Sequence, residues 1–172
     1  MLVAINAGHF VGIDPGACGV FSNEADIVKE IAQIVCNDLE AVGVNAVFIS
    51  DNDLENICQR ANNANAKLFI SLHCNAAANK MAKGTETYFF NGSASSYRLA
   101  NNIHAQLIDT MQTMDRGLKD GNWLYVLKNT TMPAALVEIG FISNLEEEQY
   151  INDNKTKIAN AISRGITDYL VG

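Results

Sequence analysis

Leu68-Phe69-Ile70-Ser71-Leu72-His73 is apolar at nearly every position and closes on a histidine. A strand with one wet face alternates; a run this uniformly apolar belongs to a sheet covered on both faces, as parallel sheets are. Two runs of the same kind stand further out. Leu2-Val3-Ala4-Ile5 is closed by Asn6-Ala7-Gly8, and Ala134-Ala135-Leu136-Val137-Glu138-Ile139 carries a single carboxylate in its interior. Residues 44–49, 85–90 and 124–127 also read as strands.

Between the strands lie helical patterns. After a polar loop from His9 to Gly19, Ser22-Asn23-Glu24 forms a helix start, and Ile27, Ile31, Ile34, Val35, Leu39 and Val42 recur at steps of three and four until Gly43. A second helix covers 54–65. Ser95-Ser96 caps a third that runs to about Thr113, and the last spans about Thr156 to Leu170. Strands alternating with helices imply an α/β fold: a three-layer αβα arrangement, with a mixed, largely parallel twisted sheet of about six strands flanked by helices.

Length agrees with one domain over residues 1–172, at roughly 150 residues per domain. The 48% hydrophobic and 18% charged content is that of a compact globule that needs no disulfide or metal merely to fold. With 12 basic and 19 acidic side chains the formal charge is −7, and no Lys/Arg cluster offsets it, so nucleic acid is not expected as a partner. No apolar run approaches the ~20 residues of a membrane span, so no membrane insertion is expected. The first residues lack a basic leader. The four cysteines (Cys18, Cys36, Cys58, Cys74) have no C-x-x-C spacing and read as reduced and structural.

In open α/β sheets ligands bind outside the carboxyl ends of the strands. His9 follows the first strand, His73 ends the third, and Glu138 interrupts the last. Glu24 opens the first helix, which in a strand–loop–helix unit starts at that same edge. These four residues, separated by 15, 49 and 65 positions, can converge on one rim. Two imidazoles and a carboxylate leave one coordination position open, as in a catalytic rather than a structural zinc site. The spacing alone is unspecific. A histidine at a strand end is often a hydrogen-bonded turn residue, and an acid in a first helical turn also favours the helix dipole. Glu138 is harder to dismiss, because a carboxylate among those apolar neighbours must be paired, metal-linked or protonated. His104 reads as an ordinary helix residue.

The chain also resembles a known family. Asn6-Ala7-Gly8-His9, Ile13-Asp14-Pro15-Gly16-Ala17, Asn23-Glu24 and Leu68 to Ala76 are similar to zinc-dependent N-acetylmuramoyl-L-alanine amidases of the type 3 class. So are Lys83 to Tyr88, Arg116-Gly117-Leu118-Lys119, Leu124 to Leu127 and Met132 to Asn144, in the same order. One departure is Phe10-Val11-Gly12, where the family often has paired glycines. The resemblance implies Zn²⁺ held by His9, Glu24 and His73, with Glu138 as the catalytic glutamate. It implies cleavage of the amide between N-acetylmuramic acid and the L-alanine of the stem peptide, with peptidoglycan as the partner.

Arg116 is then a candidate donor to the oxyanion or to a stem-peptide carboxylate, against a solvated loop charge. Asn75 is a candidate partner behind a ligand, or only a turn residue. For Glu86, structural pairing is preferred over chemistry. A cysteine hydrolase built on Cys74 or Cys18, a non-catalytic wall-binding module and a structural-zinc protein, which would normally fill its fourth position with Cys or His, are the rival readings. The chain is expected to be a monomer that acts on the cell wall. Without a visible leader, it would stay cytoplasmic until released by phage or mother-cell lysis, or be a domain excised from a secreted protein.

Overall fold

The computed structural model describes residues 1–172. Six strands form one sheet: β1 (Leu2–Ala7), β2 (Asn45–Ile49), β3 (Leu68–Asn75), β4 (Thr85–Phe89), β5 (Asp115–Asp120) and β6 (Ala134–Phe141). Their order is β2-β1-β3-β6-β4-β5. The first four in that order run parallel, β4 is antiparallel to β6, and β5 is parallel to β4. The carboxyl ends of β1, β3 and β6 therefore share an edge with the beginnings of β4 and β5.

The helices are α1 (Glu24–Ala41), α2 (Leu54–Asn63), α3 (Ala94–Met111), α4 (Tyr125–Asn129), α5 (Leu145–Asp153) and α6 (Lys155–Val171). Alternation along the strands sorts the core into two faces. Val3, Ile5, Leu68, Ile70, Leu72, Val137 and Ile139 pack with α1, α3 and α6 in a cluster of 29 buried residues. Ala4, Phe69, Ala134 and Leu136 point the other way, to a cluster of 11 that includes Ile57 and Cys58 of α2 and Val126 and Leu127 of α4. By the same alternation Asn6, Ser71, His73 and Glu138 project from this second face. Only two short helices cover it, so polar side chains near the strand ends meet an open cleft instead of a third layer of apolar ones.

Four features differ from the sequence reading. Residues 124–127 are no strand: Leu124 precedes α4, whose Val126 and Leu127 are buried against the second face. Strand-forming residues with no ladder partner take whatever backbone buries them. The sixth strand is instead Asp115–Asp120, a polar edge strand whose only aliphatic side chain, Leu118, is half-buried. Helix α5 is additional. Its cap Asn144 accepts from the backbone N–H groups of Glu146 and Glu147, and its Glu147 and Glu148 are buried. The cap of α3 is Ser93, two residues earlier than expected.

Candidate metal centre and rim

Each candidate ligand is placed by a local feature. His9 sits just past β1, with φ 64°, in the left-handed region that costs a non-glycine residue strain and is found at functional sites. Its Nδ1 donates to Asp14 Oδ2 at 2.7 Å, and Asp14 Oδ1 accepts from the Gly16 N–H. Asp14 thus orients the ring and leaves Nε2 as the atom that faces Glu24, 3.2 Å from Oε2. Glu24, the first residue of α1, does not use its carboxylate as a cap; Oε1 accepts from His73 Nδ1 and from the Cys74 N–H, both at 3.0 Å. Oε2 accepts from the Ala17 N–H. The ligand atoms of His9, Glu24 and His73 all lie within 4.8 Å of one another.

The Glu24 carboxylate joins the two imidazoles, with His9 Nε2 at Oε2 and His73 Nδ1 at Oε1. The hydrogen bond to Glu24 is the main cause that lifts His9 to about 9; burial opposes it, and Asp14 assists. Burial alone would raise Glu24, but the His73 and His9 hydrogen bonds outweigh it and hold the carboxyl far below its ordinary range. A divalent ion held by these atoms would have to displace the His9 proton, so its uptake would release protons and weaken as the pH falls.

Glu138 lies beside this cluster, on β6 opposite His73 in the parallel register. Its Oε2 is buried and has no hydrogen-bond partner. Burial pushes its carboxyl up to about 7, His73 opposes this, and Glu24 and Glu86 assist. A raised, unpartnered carboxyl beside three convergent ligand atoms fits a site that holds a cation and a water or substrate, and the donor set of two imidazoles and one carboxylate suits zinc. A cavity of about 370 Å³ opens beside it, lined by His9, His73, Asp51, Asn52, Leu54 and Tyr125 among others.

The remaining candidates form a group on the far side of Glu138. Asn75 Nδ2 donates to Glu86 Oε1 at 2.8 Å, and its side chain makes no hydrogen bond to His9, Glu24 or His73. Arg116 is on β5 rather than in a loop, and its Nε donates to Glu86 Oε2 at 2.7 Å. Glu86 therefore has the structural pairing expected of it. His104 is not an ordinary helix residue: it is buried, with Nδ1 against Thr87 Oγ1 and Nε2 against Asp115 Oδ1. It ties α3 to β4 and β5. Cys74 packs on the opposite face from His73 in the large core cluster, and burial pushes its thiol well up, which leaves it no part in a cysteine–histidine pair. All four cysteines are free, but Cys18 is exposed and so is not a packing residue.

The amidase family described as N-acetylmuramoyl-L-alanine amidase (Amidase_3) matches residues 3–168. The chain belongs to that family. It is 35% identical over 175 residues to the N-acetylmuramoyl-L-alanine amidase LytC of Bacillus subtilis, spanning 97% of this chain and 35% of LytC. It is 38% identical to the B. subtilis protein YqiI, over 97% of this chain and 84% of YqiI. Among solved structures, N-acetylmuramoyl-L-alanine amidase AmiC2 of Nostoc punctiforme superposes with a TM-score of 0.92 at 31% identity, covering 100% of this chain and 98% of AmiC2. The catalytic domain of CwlV from Bacillus (Paenibacillus) polymyxa gives 0.91 at 33%, covering 99% and 98%.

Within this amidase fold, residues the sequence reading passed over hold the rim in shape. Glu148 of α5 accepts from the backbone N–H groups of Val20, Phe21 and Ser22 and from Ser22 Oγ, clamping the loop that leads into Glu24. Its neighbour Glu147 accepts from the N–H groups of Gly84 and Phe141, at the start of β4 and the end of β6. The capping pattern Asn144-x-x-Glu147 was the available signal. Glu148→Gln keeps one oxygen for the Phe21 and Ser22 donors but sets an amide N–H against the Val20 N–H; at about 1–3 kcal/mol for a buried unsatisfied group, the zinc-free protein should melt several degrees lower, and titration should show weaker zinc binding. Gly8 is equally constrained, since an added Cβ would fall on the His73 ring. Gly8→Ala should lower zinc affinity while far-ultraviolet circular dichroism stays unchanged.

Proposed function

We propose that this amidase-family chain hydrolyses the amide joining the lactyl group of N-acetylmuramic acid to the L-alanine of the peptidoglycan stem peptide. In this reading His9, Glu24 and His73 hold zinc, and Glu138 is the general base and then the general acid. The observation that carries it is the unpartnered Glu138 carboxylate set beside three convergent ligand atoms. Zinc bound there would supply Lewis acidity toward the scissile carbonyl and toward water.

The side chains account for the remaining chemistry. As water adds to the carbonyl carbon, Glu138 takes its proton, and the same proton passes to the alanine nitrogen as the C–N bond breaks. The raised Glu138 carboxyl suits both halves of that transfer, because its proton affinity lies near neutrality. Asp14 keeps the His9 ring turned so that Nε2 faces the cation site. The match to LytC, and a 34% identity over 186 residues to an endolysin of Bacillus phage SPP1, support peptidoglycan as substrate and the cell wall as the place of action. No helix is long and apolar enough to cross a membrane.

Digestion of purified peptidoglycan with mass analysis of the products tests the reading. Free stem peptides with an L-alanine amino terminus should appear, disappear with chelator and return with zinc. Cut glycan strands, cleaved cross-links, or chelator-insensitive release would overturn it.

A further inference from the structure

We propose that Arg116 receives a carboxylate of the leaving stem peptide, and that Glu86 is the positioning residue that aims it. This rests on the amidase reading and adds a direction to the substrate. Because β4 and β5 begin at the rim, the cross-strand row His73–Glu138–Glu86 continues to Arg116 on the outermost strand. The arginine therefore lies past Glu138, away from His9.

The surroundings of the pair point to a built receptor rather than a surface ion pair. Glu86 is 5% exposed, and its carboxylate is filled by Arg116 Nε, Asn75 Nδ2 and Tyr88 OH at 2.7, 2.8 and 2.9 Å. Burial works against its ionised form, but the Arg116 and Tyr88 hydrogen bonds hold the carboxyl below its ordinary value. Arg116 spends only Nε on this partner. Its two terminal nitrogens make no hydrogen bond within the chain, on a side chain that is 35% exposed. A guanidinium held by Nε presents the remaining N–H groups as a fork matched to a carboxylate.

The surroundings hold that orientation. The guanidinium carbon lies 5.0 Å from the centroid of the Phe141 ring, a cation–π contact that favours this placement. Gly84, at φ 115°, leaves a cradle for the arginine stem: a Cβ there would come within 2.8 and 2.9 Å of Arg116 Cγ and Cδ. The hydrogen-bonding groups along the cleft differ from one side to the other. Asp14 and Asp51 lie on the His9 side of the cleft, and Arg116 lies on the other. A substrate that is sugar on one side of the scissile amide and an anionic peptide on the other is accepted in one direction by such a cleft.

The test compares two substrates, N-acetylmuramoyl-L-alanyl-D-glutamate with free carboxylates and its matched diamide, for kcat and KM. A charge-assisted hydrogen bond is worth about 1.5–3 kcal/mol, so the zinc-loaded wild type should favour the acid by about 10- to 100-fold in kcat/KM, chiefly through KM. Arg116→Ala should erase most of that preference by raising KM for the acid, with a far smaller effect on the diamide. Arg116→Lys, which keeps the charge but loses the fork, should restore part of it, and Glu86→Gln should weaken the preference in the same substrate-selective way.

Equal loss on both substrates would make Arg116 a structural residue and overturn the proposal, as would a wild type that cleaves acid and diamide equally well. If Arg116→Ala does not fold, Arg116→Lys carries the same comparison. A wild type that cleaves neither substrate would instead remove the amidase reading itself.

Discussion

Glu138→Gln should retain one zinc per chain and hydrolyse peptidoglycan roughly 10²–10⁴-fold more slowly, the range expected when a positioned proton carrier is lost. Glutamine keeps the size of the side chain and cannot take a proton. In the wild type the acid limb of kcat/KM should fall at or below about pH 7, because Glu138 must be ionised to act as base and a bound cation draws its value downward from about 7. The variant should lose that limb.

Stability should move the other way. Glu138 Oε2 has no partner to lose, and a carboxyl raised on folding destabilises the folded state once ionised. The penalty is absent below the ordinary value of 4.5 and grows as the pH rises through about 7. Zinc-free Glu138→Gln should therefore melt at or above the wild-type temperature at pH 8 and match it at pH 4. Near-normal turnover in the variant would remove Glu138 from the mechanism.

His73→Ala should lose stoichiometric metal by elemental analysis, and hydrolysis with it. The substitution deletes one of three ligand atoms and also strips Glu24, 3% exposed, of its Nδ1–H donor. Removing a partner from a buried charge costs about 1–3 kcal/mol or more, so the zinc-free variant should melt below the zinc-free wild type. Zinc should raise the melting temperature of the wild type, since it binds the folded site, and leave the variant unmoved. A variant that still binds one equivalent of zinc would take His73 out of the ligand set.

Where the sequence was informative, burial made it so. Leu68 to Leu72, apart from Ser71, and Ala134 to Val137 are apolar because they are buried on both faces, and such runs can be recognised without knowing their neighbours. Polar groups at the ends of those runs, His73 and Glu138, stood out for the same reason. Asp115–Asp120 was not legible, and of α5 only the capping pattern Asn144-x-x-Glu147 was. The edge strand is defined by pairing with β4, and its polar residues have no periodicity of their own. In α5, Glu147 and Glu148 are buried because backbone N–H groups from distant loops converge on them, and no local pattern encodes those partners.

The resemblance of the motif blocks carried His9, Glu24 and His73 to a metal, while residue types and spacing alone left a turn histidine and a dipole acid as alternatives. The sequence alone determined the α/β class, the both-faces-covered strands and the edge on which costly side chains would collect, because each follows from local periodicity and the direction of strand–helix connections. Only the tertiary structure decided that His73, Glu138, Glu86 and Arg116 lie in one row. Strand order, the reversal of β4 and the face left half-covered by α2 and α4 are relations between segments far apart in the chain, and no window of residues contains them.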